Sequence, residues 1–183
     1  LVATDQMVDT PTNNFATINA LDFSTGTLSE GNLKWVSTGN AGNGAFGSFA
    51  FDIASTDKKY YFEVLLVSGD SVIGIVPDNV IPSNVSRPGA YTYYTDGDKY
   101  SGTSGSSYGL SYTSGDIIGV AVGAGSITFY KNGASQGAAF TGLTGDFKPA
   151  LYEVTATFVA NFGSDSSFAG NKTAQGNQDG NEK

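Results

Sequence analysis

The chain has 183 residues, 25 of them glycine and none of them histidine or cysteine, and 9 Lys+Arg stand against 17 Asp+Glu for a net charge of −8. A single domain of this length buries a core without covalent staples, and the two zeros exclude the usual zinc site, iron–sulfur ligation, a Ser-His-Asp triad and a cysteine nucleophile. With a pI near 4.2 and nine scattered cations, the chain lacks the clustered positive charge that a phosphate backbone requires, so nucleic acid is not an expected partner.

Residues 1–9 carry Asp5 and Asp9 but no Lys or Arg, unlike a signal or transit peptide. A start at Leu1 points to a processed chain or an excised domain, and no apolar run is long enough to cross a membrane as a helix, so no membrane insertion is expected. The absence of cysteine leaves the compartment open. Helix-period spacing is nearly absent, whereas short apolar runs bounded by Gly, Ser, Asn and Asp recur at intervals of roughly ten residues. After a polar lead-in over 1–14, the pattern predicts strands over 15–21, 32–37, 44–53, 59–67, 71–76, 90–95, 108–112, 117–122, 126–131, 135–140, 148–153 and 155–162. So many strands in one domain imply an all-β, two-sheet antiparallel β-sandwich over 15–168. Residues 60–67 are apolar on both faces except at Glu63, as in a central strand covered on each side. Gly97–Gly109 is glycine-rich and polar and reads as a long loop or ribbon. Asn132-Gly133 is the pair that best accepts the two positive φ angles of a type I′ hairpin. In the last strand, Phe158, Ala160 and Phe162 share the inward face and the odd positions look out. From Gly163 the apolar pattern fades, and 169–183 reads as a polar connector or tail.

Six motifs fall in order: Tyr60-Tyr61-Phe62-Glu63-Val64, Tyr108-Gly109, Ser114-Gly115-Asp116-Ile117-Ile118-Gly119-Val120, Thr128-Phe129-Tyr130-Lys131-Asn132-Gly133, Pro149-Ala150 and Asn161-Phe162-Gly163. Their order and spacing resemble the SPRY domain over roughly 49–168. The flanks are similar to those of SPRY-bearing structural proteins of tailed bacteriophages. The residues concerned are Asp9-Thr10-Pro11-Thr12-Asn13-Asn14-Phe15, Glu30-Gly31-Asn32-Leu33-Lys34-Trp35 and Phe168-Ala169-Gly170-Asn171-Lys172-Thr173-Ala174-Gln175-Gly176-Asn177. The resemblance implies a concanavalin-A-like jelly roll without intrinsic catalysis or cofactor, recognising partners through loops at one end of the sandwich. It further implies a virion setting in a tail fibre, receptor-binding protein or capsid decoration. The partners would be other virion proteins or a host-surface glycan or protein, and the chain would be a homo-oligomer, trimeric in a fibre.

Three kinds of chemistry remain to be weighed. Glu63 and Glu153 both lie in apolar strands and form the one tempting pair of carboxylates for a glycosidase of the concanavalin-A-like class, although Glu63 also coincides with the structural Glu of the SPRY pattern. Asp96-Gly97-Asp98 has the look of the start of a calcium loop but lacks the remaining ligands, so a turn and no metal is the reading. The aromatic residues Tyr91, Tyr93 and Tyr100, with Trp35, Asp96 and the single arginine Arg87, make the expected ligand-binding set: rigid rings with hydroxyls and one planar cation. Alternation puts Tyr91 and Tyr93 on one side and Tyr94 on the other, so part of the set belongs to the core. A purely structural capsid or tail subunit is the alternative within the same family.

Overall fold

A computed structural model describes residues 15–38, 43–81, 87–152 and 155–173. The described strands are β1 (Ile18–Phe23), β2 (Thr27–Ser29), β3 (Lys34–Val36), β4 (Gly44–Gly47), β5 (Phe51–Asp52), β6 (Tyr60–Ser68), β7 (Val72–Pro77), β8 (Tyr91–Tyr94), β9 (Asp98–Ser101), β10 (Ser104–Ser107), β11 (Ile117–Gly123), β12 (Ser126–Lys131), β13 (Ala134–Phe140), β14 (Asp146–Tyr152) and β15 (Thr157–Asn161). An eight-stranded sheet runs β1-β4-β14-β7-β8-β9-β10, with β5 paired to β14, and a seven-stranded sheet runs β13-β12-β11-β6-β15-β3-β2. All the pairings are antiparallel. The two sheets face each other as the sandwich the alternation predicts.

Between the sheets lie Phe62, Val64 and Leu66 of β6, Val120 of β11, Phe129 of β12 and Phe158 of β15, against Ile73 and Ile75 of β7, Tyr93 of β8 and Leu151 of β14. Fully burying side chains of this size contributes about 1.5–3 kcal/mol each, and this layer supplies most of the driving force for folding. The outer faces are covered as well. Phe46, Val72, Val76, Ala150 and Tyr152 form an apolar cluster on the far side of the eight-stranded sheet. Phe168 lies over Leu65 and Val159 on the far side of the seven-stranded sheet. Val159 points away from the main core, as the alternation predicts, and is buried there by Phe168.

Two hairpins explain their own sequences. Asn132 (φ 49°) and Gly133 (φ 81°) join β12 to β13 with both angles positive, as a type I′ turn requires. The polar stretch after Gly97 folds into the ribbon β9–β10, whose turn residues are Gly102 (φ 59°) and Thr103. The predicted strand over 108–112 is absent: isolated backbone bonds, from Gly109 N to Gly97 O (2.9 Å) and Tyr112 N to Thr95 O (2.9 Å), hold the chain together with side chains, Leu110 N donating to Gln136 Oε1 (3.0 Å) and its carbonyl accepting from Tyr93 Oη. The predicted strand over 44–53 breaks into β4 and β5, and the short polar β2 has no counterpart among the expected elements.

Candidate recognition surface

Two of the expected ligand contacts belong to the core. Trp35 is 0 % exposed, stacks on Phe158 (5.5 Å between ring centres) and donates Nε1–H to Thr25 O at 2.9 Å. Tyr93 is also 0 % exposed, enclosed by Tyr108, Tyr112 and Phe129. Burial first, then the nearby Tyr108 and Asp116, pushes its phenol up to about 12. Neither ring has a free face for a ligand, and the expectation for both is corrected. Tyr91 shares the inward side of β8 and packs on Phe140 (4.9 Å) and Phe147 (5.8 Å) at the mouth of the core. Asp96 is exposed, and its Oδ1 accepts from Asp98 N at 2.9 Å, closing a turn. Among the described residues, no group of three or more Asp or Glu side chains is placed to hold a metal ion.

Arg87 and Tyr100 do come together, on the outer face of the eight-stranded sheet. Register sets Tyr152, Val72 and Tyr94 side by side across β14, β7 and β8. The Arg87 guanidinium lies over both flanking rings, 5.0 Å from the centre of Tyr94 and 5.2 Å from that of Tyr152. Tyr100, one strand further, stacks against Tyr94 with ring centres 4.2 Å apart. It lies flat because Gly105 beneath it has no Cβ: one built there would stand 2.6 Å from the ring. Burial raises the Tyr152 phenol well above the ordinary range, and the charge of Arg87 only partly offsets this. The hydroxyls of Tyr152 and Thr92 are buried on this face with no hydrogen-bond partner. The row continues to Phe46, over which Lys148 Nζ sits at 4.9 Å while bonded to Asp22 Oδ2 at 2.6 Å. Tyr152 and Lys148 were not singled out in the sequence. The signal for the second was available, since it is a lone cation within the apolar run 147–152.

Glu63 occupies the opposite side of the molecule, on the outer face of the seven-stranded sheet. It accepts from Tyr61 Oη (2.8 Å) and Asn161 Nδ2 (3.3 Å). Burial first, then the bond to Glu63, drives the Tyr61 phenol far above its usual range. Glu153, the second carboxylate of the glycosidase reading, lies outside the described residues.

The remaining motif residues lock turns. Asp116 accepts from Asn132 Nδ2 (2.7 Å) and Thr113 N (2.9 Å) and pairs with Lys131 Nζ (3.2 Å), while Asn132 Oδ1 accepts from Ile117 N (2.9 Å). Desolvation alone would raise the Asp116 carboxyl, but the bonds from Asn132, Thr113 and Lys131 outweigh it and hold the group below the usual carboxylate range. Asn161 Oδ1 accepts from Gly163 N (2.9 Å) and Asp165 N (3.3 Å), so the Asn-Phe-Gly motif caps the exit from β15.

The same fold is known from elsewhere. The crystal structure of the SPRY domain of human HERC1 superposes with a TM-score of 0.66 at 16% sequence identity, covering 81% of this chain and 99% of that one. Residues 59–165, more than half of the chain, match the SPRY domain family, and they contain all six motifs whose hydrogen bonds hold the sheets and turns together. The chain belongs to the SPRY domain family.

Proposed function

We propose that this domain is a non-catalytic recognition module that grips a partner protein on the outer face of its eight-stranded sheet, around Arg87, Tyr94 and Tyr100. SPRY domains are protein–protein interaction modules, and the observation that selects this face is the arginine held between two tyrosine rings with a third ring alongside. Tyrosine and arginine dominate the energetics of protein interfaces because they bring large rigid contact area and directed polar groups with little entropy to lose. The flank sequences extend the reading to the surface of a phage particle, where the partner is a host-surface protein or glycan or a neighbouring virion subunit. The test is binding of the purified domain to a panel of host-envelope proteins and glycans, repeated with Arg87→Ala and Tyr100→Ala. Each variant is expected to melt like the parent and to bind at least about tenfold more weakly, the loss typical of a central interface residue. Binding unchanged in both variants would overturn the assignment of this face.

A further inference from the structure

Among the described residues, five strands leave an unpaired sheet edge, β1, β2, β5, β10 and β13, and such an edge presents N–H and C=O groups that proteins ordinarily blunt. Four of the five are blunted here, β5 by being only two residues long. The β1 register slips between Ile18 and Phe23, and Asn19 Oδ1 takes the Leu21 N–H at 3.0 Å. β2 is three residues long and gives way to Glu30, Gly31 and Asn32 in the left-handed region, at φ 54°, 62° and 63°. β13 is irregular at two places, and Lys99 Nζ and Tyr108 Oη donate to its Ala139 and Gly137 carbonyls. β10 has none of these devices. Its Ser104-Gly105-Ser106-Ser107 pairs with β9 in unbroken register, carries no charge and no proline, and is exposed along its whole length.

The direction of its free groups follows from the turn. A two-residue turn makes Ser101 and Ser104 a hydrogen-bonded pair, so the pairs Lys99–Ser106 and Gly97–Tyr108 bond inward. The bond from Tyr108 N to Gly97 O (3.3 Å) agrees with that phase. The N–H and C=O of Gly105 and Ser107 therefore point away from the sheet.

We propose that β10 pairs antiparallel with β10 of a second copy of this chain, across a two-fold axis at Ser106, joining two eight-stranded sheets edge to edge. That register matches Gly105 of each copy with Ser107 of the other, and all four outward donors and acceptors of each strand are satisfied reciprocally. Ser106 meets its own mate at the close, non-bonded position, which a small side chain fits. Tyr100, lying over Gly105, covers the strand beside the seam. Charge does not oppose the contact locally. The nearest carboxylate in register, Asp98, is separated from its mate by three strand spacings, at least roughly 14 Å, against a screening length of about 8 Å at physiological ionic strength. The net charge of −8 on each copy opposes association overall, so pairing strengthens as salt is added. A four-residue seam buries less than the roughly 1,000 Å² of a stable interface, which makes this a weak, transient contact.

Sedimentation of the full chain from about 10 µM to about 1 mM, at low and high salt, tests this. The expected result is a monomer–dimer equilibrium that tightens with salt. Ser107→Pro removes only an outward N–H, which an edge strand tolerates, and should weaken dimerisation at least about tenfold, whereas Ser107→Ala should leave it unchanged. Concentration-dependent slowing of amide exchange at Gly105 and Ser107 of the unaltered chain reads the same contact without a mutation. A monomer throughout that range, equal dimerisation of Ser107→Pro, or exchange at Gly105 and Ser107 independent of concentration would each overturn the pairing.

Discussion

Removing the Asp116 carboxylate tests whether the Gly-Asp and Lys-Asn-Gly motifs are one lock. Asp116→Ala deletes the acceptor for Asn132 Nδ2 and Thr113 N together with the ion pair to Lys131. Lys131 keeps a partner, since its ammonium also donates to Ser111 O at 2.7 Å, but Asn132 and Thr113 do not keep theirs at this site. Hydrogen bonds to a charged group contribute about 1.5–3 kcal/mol each. Here they share one carboxylate at a partly wetted position, so the whole is about 3 kcal/mol. For a domain of this size that lowers the melting temperature by roughly 6–12 °C. The chain's one tryptophan, Trp35, is fully buried, so urea unfolding followed by its fluorescence reports the loss directly. The pH dependence fixes the mechanism. The folded carboxyl lies below its unfolded value of about 3.9, so its stabilisation is complete above that value and disappears as pH falls through the folded one. The gap between Asp116→Ala and the parent should therefore be full at pH 7 and narrow at about pH 2.5. A loss under about 1 kcal/mol at neutral pH, or a gap of the same size at both, would refute the lock.

Phe168→Ala should cost about 3–5 kcal/mol by uncovering Leu65 and Val159, and limited proteolysis should then cut after Gly163 sooner than in the parent. Lys148 is 7 % exposed, and Lys148→Met keeps a stem over Phe46 while leaving Asp22 without its cation. Chemical denaturation should show a loss of about 2–3 kcal/mol, largely recovered when Asp22→Leu is added. Gly119→Ala places a methyl 2.3 Å from Tyr61 Oη. It should swing the phenol off Glu63, cost about 1 kcal/mol, and bring one tyrosine back toward ordinary titration in ultraviolet absorbance.

Legibility in the sequence followed the physics of each segment. Along β15 and the residue after it, period-two alternation showed that Phe158, Ala160 and Phe162 look inward, although Phe168 covers the other face at Val159. The Asn132-Gly133 turn was legible because few other dipeptides accept two positive φ angles. The recognition set was harder. Both faces of the eight-stranded sheet carry aromatic rings, so Tyr91, Tyr93 and Tyr94 could be divided between two sides without knowing which side was the core. Trp35 fell into the ligand-binding set because its strand is only three residues long, too short for alternation to declare a face. Tyr152 was invisible for a different reason: it joins Arg87 and Tyr94 only through the register of three strands distant in sequence.

The motifs that mark the family and the residues of the proposed recognition face are different residues. Asp116 and Asn132 hold one end of β11 and β12, Asn161 caps β15, and Glu63 is bonded by Tyr61 and Asn161. Each of these polar groups already has its partners inside the domain, which is why they read so strongly as a pattern and offer little to a ligand. Arg87, Tyr94, Tyr100 and Tyr152 lie outside the six motifs. A substitution among them leaves the turns and the inter-sheet core in place. The scaffold therefore tolerates a change of partner at this face, and Arg87→Ala should separate binding from stability in a way that no substitution of Asp116 or Asn161 can.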